Sequence, residues 1–195
     1  MTEEIIISGF GGQGVLSMGK ALAYSGMMQG NEVSWMPSYG PEMRGGTANV
    51  TVIISDKKVS SPILFEYDTG ILLNQQSIDK FEYRIKPGGV IIYDENGIVE
   101  PPKRKDLSIF KINAVGESLK IGSSKVFNMM VMGAYIKIRP VIKLENVIKG
   151  LAESLPERYH HLLNINEAAL KKGMELATNS IRKAAKEVHE AATIR

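Results

Sequence analysis

Six residues near the start of the chain, Gly9-Phe10-Gly11-Gly12-Gln13-Gly14, have the spacing from which a phosphate site can be built. Glycines at 9, 11 and 14 fit G-x-G-x-x-G, with an additional glycine at 12. A turn without Cβ atoms lets backbone N–H groups approach an anion at the positive end of the helix that follows. The plainer reading is a tight strand-to-helix turn with no ligand. A second stretch, Pro37-Ser38-Tyr39-Gly40-Pro41-Glu42-Met43-Arg44-Gly45-Gly46, places two prolines and three glycines within ten residues, which argues strongly against regular structure. It also carries Tyr39, Glu42, Met43 and Arg44, side chains that a connector does not need. A functional loop is the better reading of it than a connector with a buried ion pair.

The elements around these stretches have to position them. Glu4–Ser8 reads as a buried strand, apolar without alternation, and Val15–Met28 as a helix covered nearly all round. Val33–Met36 is a short strand, and Thr47–Ser55, rich in β-branched residues, is the clearest strand of the chain. Gly70–Asn74, Val90–Asp94 and Leu107–Ile112 read as further strands. Ser77–Ile85 reads as a helix capped by Ser77, with Ile78, Phe81 and Ile85 on one face, stopped by a turn at Lys86–Gly89. Ala114–Ile121, Val126–Ile138, Leu144–Leu155 and Pro156–Leu163 are helical. Within them, Asn128 is read as a local cap, with a site-facing role as the alternative. A long helix from Asn166 carries a stripe of Leu170, Met174, Ala177, Ile181, Ala184 and Val188 that wants a partner surface. The sum is an α/β fold, a Rossmann-like sheet with flanking helices and a helical C-terminal end. It is expected as a single domain over 1–195, with 191–195 frayed.

Composition narrows the function. Of 195 residues 44% are hydrophobic and 23% charged, and 24 basic residues face 21 acidic ones. That near-balance, with Lys103-Arg104-Lys105 the densest basic run, gives no footprint for nucleic acid. Cysteine is absent, so the chain holds no disulfide, thiolate nucleophile or cysteine-ligated cluster. No metal site is expected either, since His160 and His161 are adjacent and point apart on a helix. The N-terminus lacks a basic leader region and no apolar run approaches a membrane span, so a cytoplasmic protein is expected. A nicotinamide site would want an acidic residue at the end of the second strand, where Met36-Pro37-Ser38 stand instead. A Walker loop would want Gly-Lys-Ser/Thr, and Lys20 lies about 9 Å up the helix axis from Gly14. No catalytic set is complete within the chain.

The two glycine-bearing stretches, with Asn74-Gln75, Asp79-Lys80-Phe81, Lys86-Pro87-Gly88-Gly89 and Asn128-Met129, resemble the gamma subunit of 2-oxoacid:ferredoxin oxidoreductases over about residues 4 to 170. The pattern is most similar to the 2-oxoglutarate and branched-chain (ketoisovalerate) enzymes, with pyruvate also open. The resemblance implies a subunit, inactive alone, of an assembly that oxidatively decarboxylates a 2-oxoacid to acyl-CoA and reduces ferredoxin. It implies alpha, beta and ferredoxin-type partner subunits that carry thiamine diphosphate and the iron–sulfur clusters. Coenzyme A would occupy a shared site. Carried over by position, Gly9, Phe10, Gly11, Gly12, Gln13 and Gly14 would meet its pyrophosphate. Ser38, Tyr39, Gly40, Pro41, Glu42, Met43, Arg44, Gly45 and Gly46 would form the active-site or subunit-interface loop. Arg44 would pair with a phosphate, a substrate carboxylate or a partner carboxylate. Two other readings stay open: a free-standing nucleotide-binding or regulatory module, and a glycine turn that serves only as backbone at an interface.

Overall fold

The computed structural model describes residues 1–38 and 47–193, with side chains as far as Arg182. Six strands form one sheet in the order β2-β3-β1-β4-β5-β6. They are β1 (Thr2–Phe10), β2 (Glu32–Ser38), β3 (Thr47–Ser55), β4 (Tyr67–Leu72), β5 (Ile85–Asp94) and β6 (Ser108–Ile112). β1, β4, β5 and β6 run parallel, and β3 is antiparallel to both of its neighbours, β1 and β2. The carboxyl ends of β1 and β2 and the start of β3 therefore meet at one edge of the sheet. Phe10 lies opposite Thr47, and Ser38 opposite Asn49.

The pleat divides the core. Ile5, Ile7, Val50, Val52, Ile54, Ile71, Val90 and Ile92 face one way. They meet α1 (Val15–Met28), α4 (Phe127–Ile138), α5 (Leu144–Ser154) and α6 (Leu163–Thr193). Ile6, Leu72, Ile91 and Tyr93 face the other way, onto Ile78 and Phe81 of α2 (Gln75–Phe81). This is why the strands read as unbroken apolar runs: both faces are covered. α3 (Ala114–Lys120) follows β6 and leans on α4.

Several local readings change. The cap of α2 is Asn74, whose Oδ1 accepts the Ser77 N–H at 2.8 Å; Ser77 lies inside the helix, buried. Ile85 is not on that helix but begins β5, after a 3₁₀ turn at Glu82–Arg84. Lys86–Gly89, expected as a turn, lies within β5, where the register against β4 slips between Tyr67 and Thr69. Lys86 Nζ is held there between Glu4 (2.6 Å) and Asp68 (2.8 Å).

Helix α4 is the central buried helix, with Met129, Met130, Val131, Met132, Ala134 and Tyr135 all enclosed. Its carboxyl end is tied to the start of β1 by Arg139 and the buried Glu3, which also accepts from Thr69 Oγ1 at 2.6 Å. The Glu3 carboxylate holds the Arg139 guanidinium above its ordinary range, and burial pushes the Tyr135 phenol well up. Of the stripe on α6, Leu170 and Ala177 are buried, in the part of the helix that packs on α4; Ile181 is exposed, and the side chains of Ala184 and Val188 lie outside those described. Backbones approach so closely that a Cβ at Gly133 would overlap the Leu170 carbonyl, and one at Gly173 the Met130 carbonyl. Gly173→Ala is therefore expected to lower stability by about 1–3 kcal/mol in urea unfolding, although alanine is the better helix former. An unchanged or higher midpoint would show that the two helices are not in backbone contact.

Candidate functional site

The glycine turn is closed by its own glutamine. Gln13 N–H donates to the Phe10 carbonyl (3.2 Å), and the Gln13 side chain folds back so that Oε1 accepts the Phe10 N–H at 2.6 Å. Gln13 Nε2 reaches across to the Leu73 carbonyl at the end of β4 (3.2 Å). Gly9 leaves room for this: a Cβ there would stand 2.5 Å from Gln13 Oε1 and 3.0 Å from Leu73 Cβ. Gly14, the residue before α1, has φ +72, a conformation that favours glycine. Its backbone is backed by Asn128, whose Nδ2 donates to the Gly14 carbonyl at 3.3 Å.

This arrangement leaves donors unpaired. Helix α1 begins with no side-chain cap and no acidic residue in its first turn, so its first amides are left unfilled. Gly11, Gly12 and Gly14 N–H groups have no protein acceptor among the described residues. Gly11 and Gly12 are exposed, and the space where a Gly12 Cβ would lie is open. A groove of about 330 Å³ runs over the turn, lined by Phe10, Gly11, Gly12, Leu16, Ser17 and Ala48. Unpaired amides at the positive end of a helix hold an anion. They offer no general acid, base or nucleophile.

Of the expected site residues, Gly9 through Gly14 come together as one turn. They divide into residues that shape it (Gly9, Gln13) and residues that face the groove (Phe10, Gly11, Gly12, Gly14). Ser38 is the exposed last residue of β2, and it ends at the same sheet edge. Tyr39, Gly40, Pro41, Glu42, Met43, Arg44, Gly45 and Gly46 lie outside the described residues. Of the two anchors of that loop, Thr47 pairs with Phe10 of the turn, and Ser38 lies one strand further on, opposite Asn49.

Other residues join the site that the sequence reading did not assign there. Asn128, read first as a cap with a site-facing role as the alternative, caps nothing; the residue before α4 is Val126, and Asn128 supports Gly14. Asn74, Ser77 and Ser8 form a buried polar chain under the turn, with Ser77 Oγ 2.6 Å from Asn74 Oδ1 and 2.9 Å from Ser8 Oγ. Asn74 Nδ2 is buried with no partner among the described residues, at the same sheet end. Among those residues no group of three His, Asp or Glu side chains could hold a metal ion, and no helix is long and apolar enough to cross a membrane.

Known proteins share this architecture. The family model for pyruvate ferredoxin/flavodoxin oxidoreductase matches residues 4–176. The 2-oxoglutarate synthase subunit KorC of Methanocaldococcus jannaschii is 32% identical over 182 residues, 91% of this chain and 95% of its own. The ketoisovalerate oxidoreductase subunit VorA of Methanothermobacter marburgensis is 36% identical over 135 residues, 69% of this chain. The chain spans only 28% of that VorA and 19% of the one from Methanothermobacter thermautotrophicus. Among solved structures, the keto/oxoacid ferredoxin oxidoreductase gamma subunit from Geobacter sulfurreducens superposes with a TM-score of 0.80 at 28% identity, covering 92% of this chain and 98% of that one. The 2-oxoglutarate:ferredoxin oxidoreductase from Magnetococcus marinus, solved with 2-oxoglutarate, coenzyme A and succinyl-CoA bound, shares the fold at TM-score 0.81 and 24% identity, covering 91% of this chain and 31% of that one. The chain belongs to the pyruvate ferredoxin/flavodoxin oxidoreductase family, on a match that takes in the glycine turn and the Pro37–Gly46 stretch alike.

Proposed function

We propose that the chain is the gamma subunit of a 2-oxoacid:ferredoxin oxidoreductase, and that its glycine turn receives the pyrophosphate of coenzyme A. The observation that carries the second part is the uncapped start of α1, where the Gly11, Gly12 and Gly14 amides lack a protein acceptor among the described residues and the three glycines line an open groove. Support for the first part comes from relatives named as 2-oxoglutarate and ketoisovalerate oxidoreductase subunits, and from the gamma-subunit fold. The coenzyme A and succinyl-CoA bound in the Magnetococcus marinus enzyme fit the same reading.

The assembled reaction would break the bond between C1 and C2 of the oxoacid, release carbon dioxide, pass two electrons to ferredoxin and join the acyl carbon to the coenzyme A sulfur, with the thiol proton released. Thiamine diphosphate and iron–sulfur clusters belong to the alpha, beta and ferredoxin-type partner subunits, in keeping with the absence of cysteine here. What this chain does is bind and orient. Gly11, Gly12 and Gly14 donate backbone N–H groups to the pyrophosphate, and the α1 dipole favours its charge. Gln13 keeps the amides aimed by holding the turn to β1 and β4. By the resemblance, the stretch from Ser38 to Gly46 would face a partner subunit near the reaction centre, with Arg44 meeting a phosphate or a carboxylate. Among 2-oxoacids, 2-oxoglutarate or a branched-chain acid is favoured by the relatives' names, with pyruvate the alternative.

Native purification should recover the chain in a complex that carries thiamine diphosphate and iron–sulfur absorbance, and the purified chain alone should show no turnover. A cofactor-free monomer as the native form, or turnover by the isolated chain, would contradict the assignment. In the assembled complex, Gly11→Val should weaken coenzyme A at least about tenfold, as expected for losing one charge-assisted hydrogen bond or more. Unchanged affinity in an intact complex would sink the pyrophosphate assignment.

A further inference from the structure

The two faces of the sheet are covered unequally. Four helices pack on one, while the other, around Ile6, Leu72 and Ile91, has the seven residues of α2 and two irregular segments, 56–66 and 95–107. The second segment is pinned to α2 and the 3₁₀ turn after it. Gln75 Oε1 accepts the Val99 and Glu100 N–H groups, each at 2.9 Å, and Glu82 Oε1 accepts those of Lys103 (2.5 Å) and Arg104 (2.7 Å). The Arg104 guanidinium returns to the Glu82 and Ile85 carbonyls. Pro101 and Pro102, between the pins, have no N–H to satisfy. The first segment is tied to the same turn, where Arg84 donates to the Phe65 carbonyl (2.8 Å) and the Leu64 carbonyl (3.2 Å).

Backbone held in this way shows large apolar side chains to solvent. Phe65 is 78% exposed, Tyr83 70% and Val99 86%. Arg84 brings the first two together, since it follows Tyr83 in the chain and binds the Phe65 carbonyl. The pinned segment has a hollow at each end, one of about 320 Å³ between Tyr83, Lys103 and Arg104, the other of about 470 Å³ beside Ile98 and Pro101. Charges here are matched within the chain: Lys103 pairs with Glu100 and Arg104 with Asp106, and Glu82 is occupied by the N–H groups of the segment. Exposed apolar side chains on pre-ordered backbone, with neighbouring charges already matched, fit a permanent interface and set up no field to steer a transient acidic partner.

We propose that the α2 face is the dock for a larger subunit of the oxidoreductase, which lays an apolar, charge-poor surface over Phe65, Tyr83 and Val99. The proposal rests on the gamma-subunit reading. The size of the occupant is argued from the relatives. This fold accounts for 31% of the Magnetococcus marinus chain, and the matched part for 28% of VorA from Methanothermobacter marburgensis, so most of each polypeptide lies outside it. In those chains the neighbouring body is tethered; a separate chain has to hold it through its surface alone. A second copy of this chain is the competing occupant, and the test separates the two.

The absence of cysteine makes that test site-specific, because one introduced thiol is the only one in this chain. A Phe65→Cys chain is labelled with a maleimide, free and within the purified complex. Assembly should slow the labelling at least about tenfold, as expected where an interface excludes solvent. Labelling in the intact complex at the rate of the free chain overturns the proposal. So does protection that arises in the free chain alone and grows with its concentration, which assigns the face to a second copy. A Phe65→Ser/Tyr83→Ser variant should bind the other subunits at least about tenfold more weakly, while its own unfolding midpoint moves by no more than about 2 °C, as for exposed positions. Unchanged affinity for the other subunits contradicts the dock even where the complex itself upholds the gamma-subunit reading. If native purification yields no complex at all, that reading fails and the dock with it.

Discussion

A strand and a helix must meet here across a turn with no spare volume, and the rest of the site depends on that closeness. Gly9 lies against the Gln13 side chain, Val15 and Leu73, and any Cβ would push these apart. Because the glutamine satisfies Phe10 N–H and the Leu73 carbonyl from inside the turn, the glycine amides are not consumed in closing it. The start of α1 is then free of both cap and acidic neighbour, an arrangement that suits an incoming anion rather than an isolated helix. Support comes from behind. Asn128 seats α4 on Gly14, and α4 is clamped by the glycine contacts with α6 and by the Glu3–Arg139 pair at its far end.

The sheet order explains why this turn differs from a nicotinamide site. In a doubly wound nicotinamide fold, the strand that follows the first helix lies beside the first strand and ends in the acid that reads the ribose. In this chain β2 is separated from β1 by β3, and the antiparallel start of β3 occupies that neighbouring place. Thr47 and Ala48 stand next to the turn, so an acid at the end of β2 would face a different part of the edge. In exchange, the hairpin brings both anchors of the Pro37–Gly46 loop to the site.

Much of this was legible in the residues. The ends of α1 and β3 follow from Gly14, Gly30, the β-branched run and Asp56, because the punctuation there is local. The turn itself was readable for the same reason. What escaped were choices decided by distant partners. Asn74 and Ser77 can both cap, and the chain direction after β4 makes Asn74 the residue with extended backbone at the helix start. Ile85 has the spacing of a helix face but is drawn into β5 by pairing with Tyr67. Asn128 looks like a cap because its true partner, Gly14, is 114 residues away.

The account's central claim is that this chain holds coenzyme A by backbone amides. The most direct measurement is an electron cryomicroscopy structure of the native assembly with coenzyme A bound. The account predicts pyrophosphate oxygens at about 3 Å from the Gly11, Gly12 and Gly14 nitrogens, a spacing set by N–H···O geometry. Coenzyme A seated wholly on other subunits, with the glycine turn packed against protein or open to solvent, would contradict it.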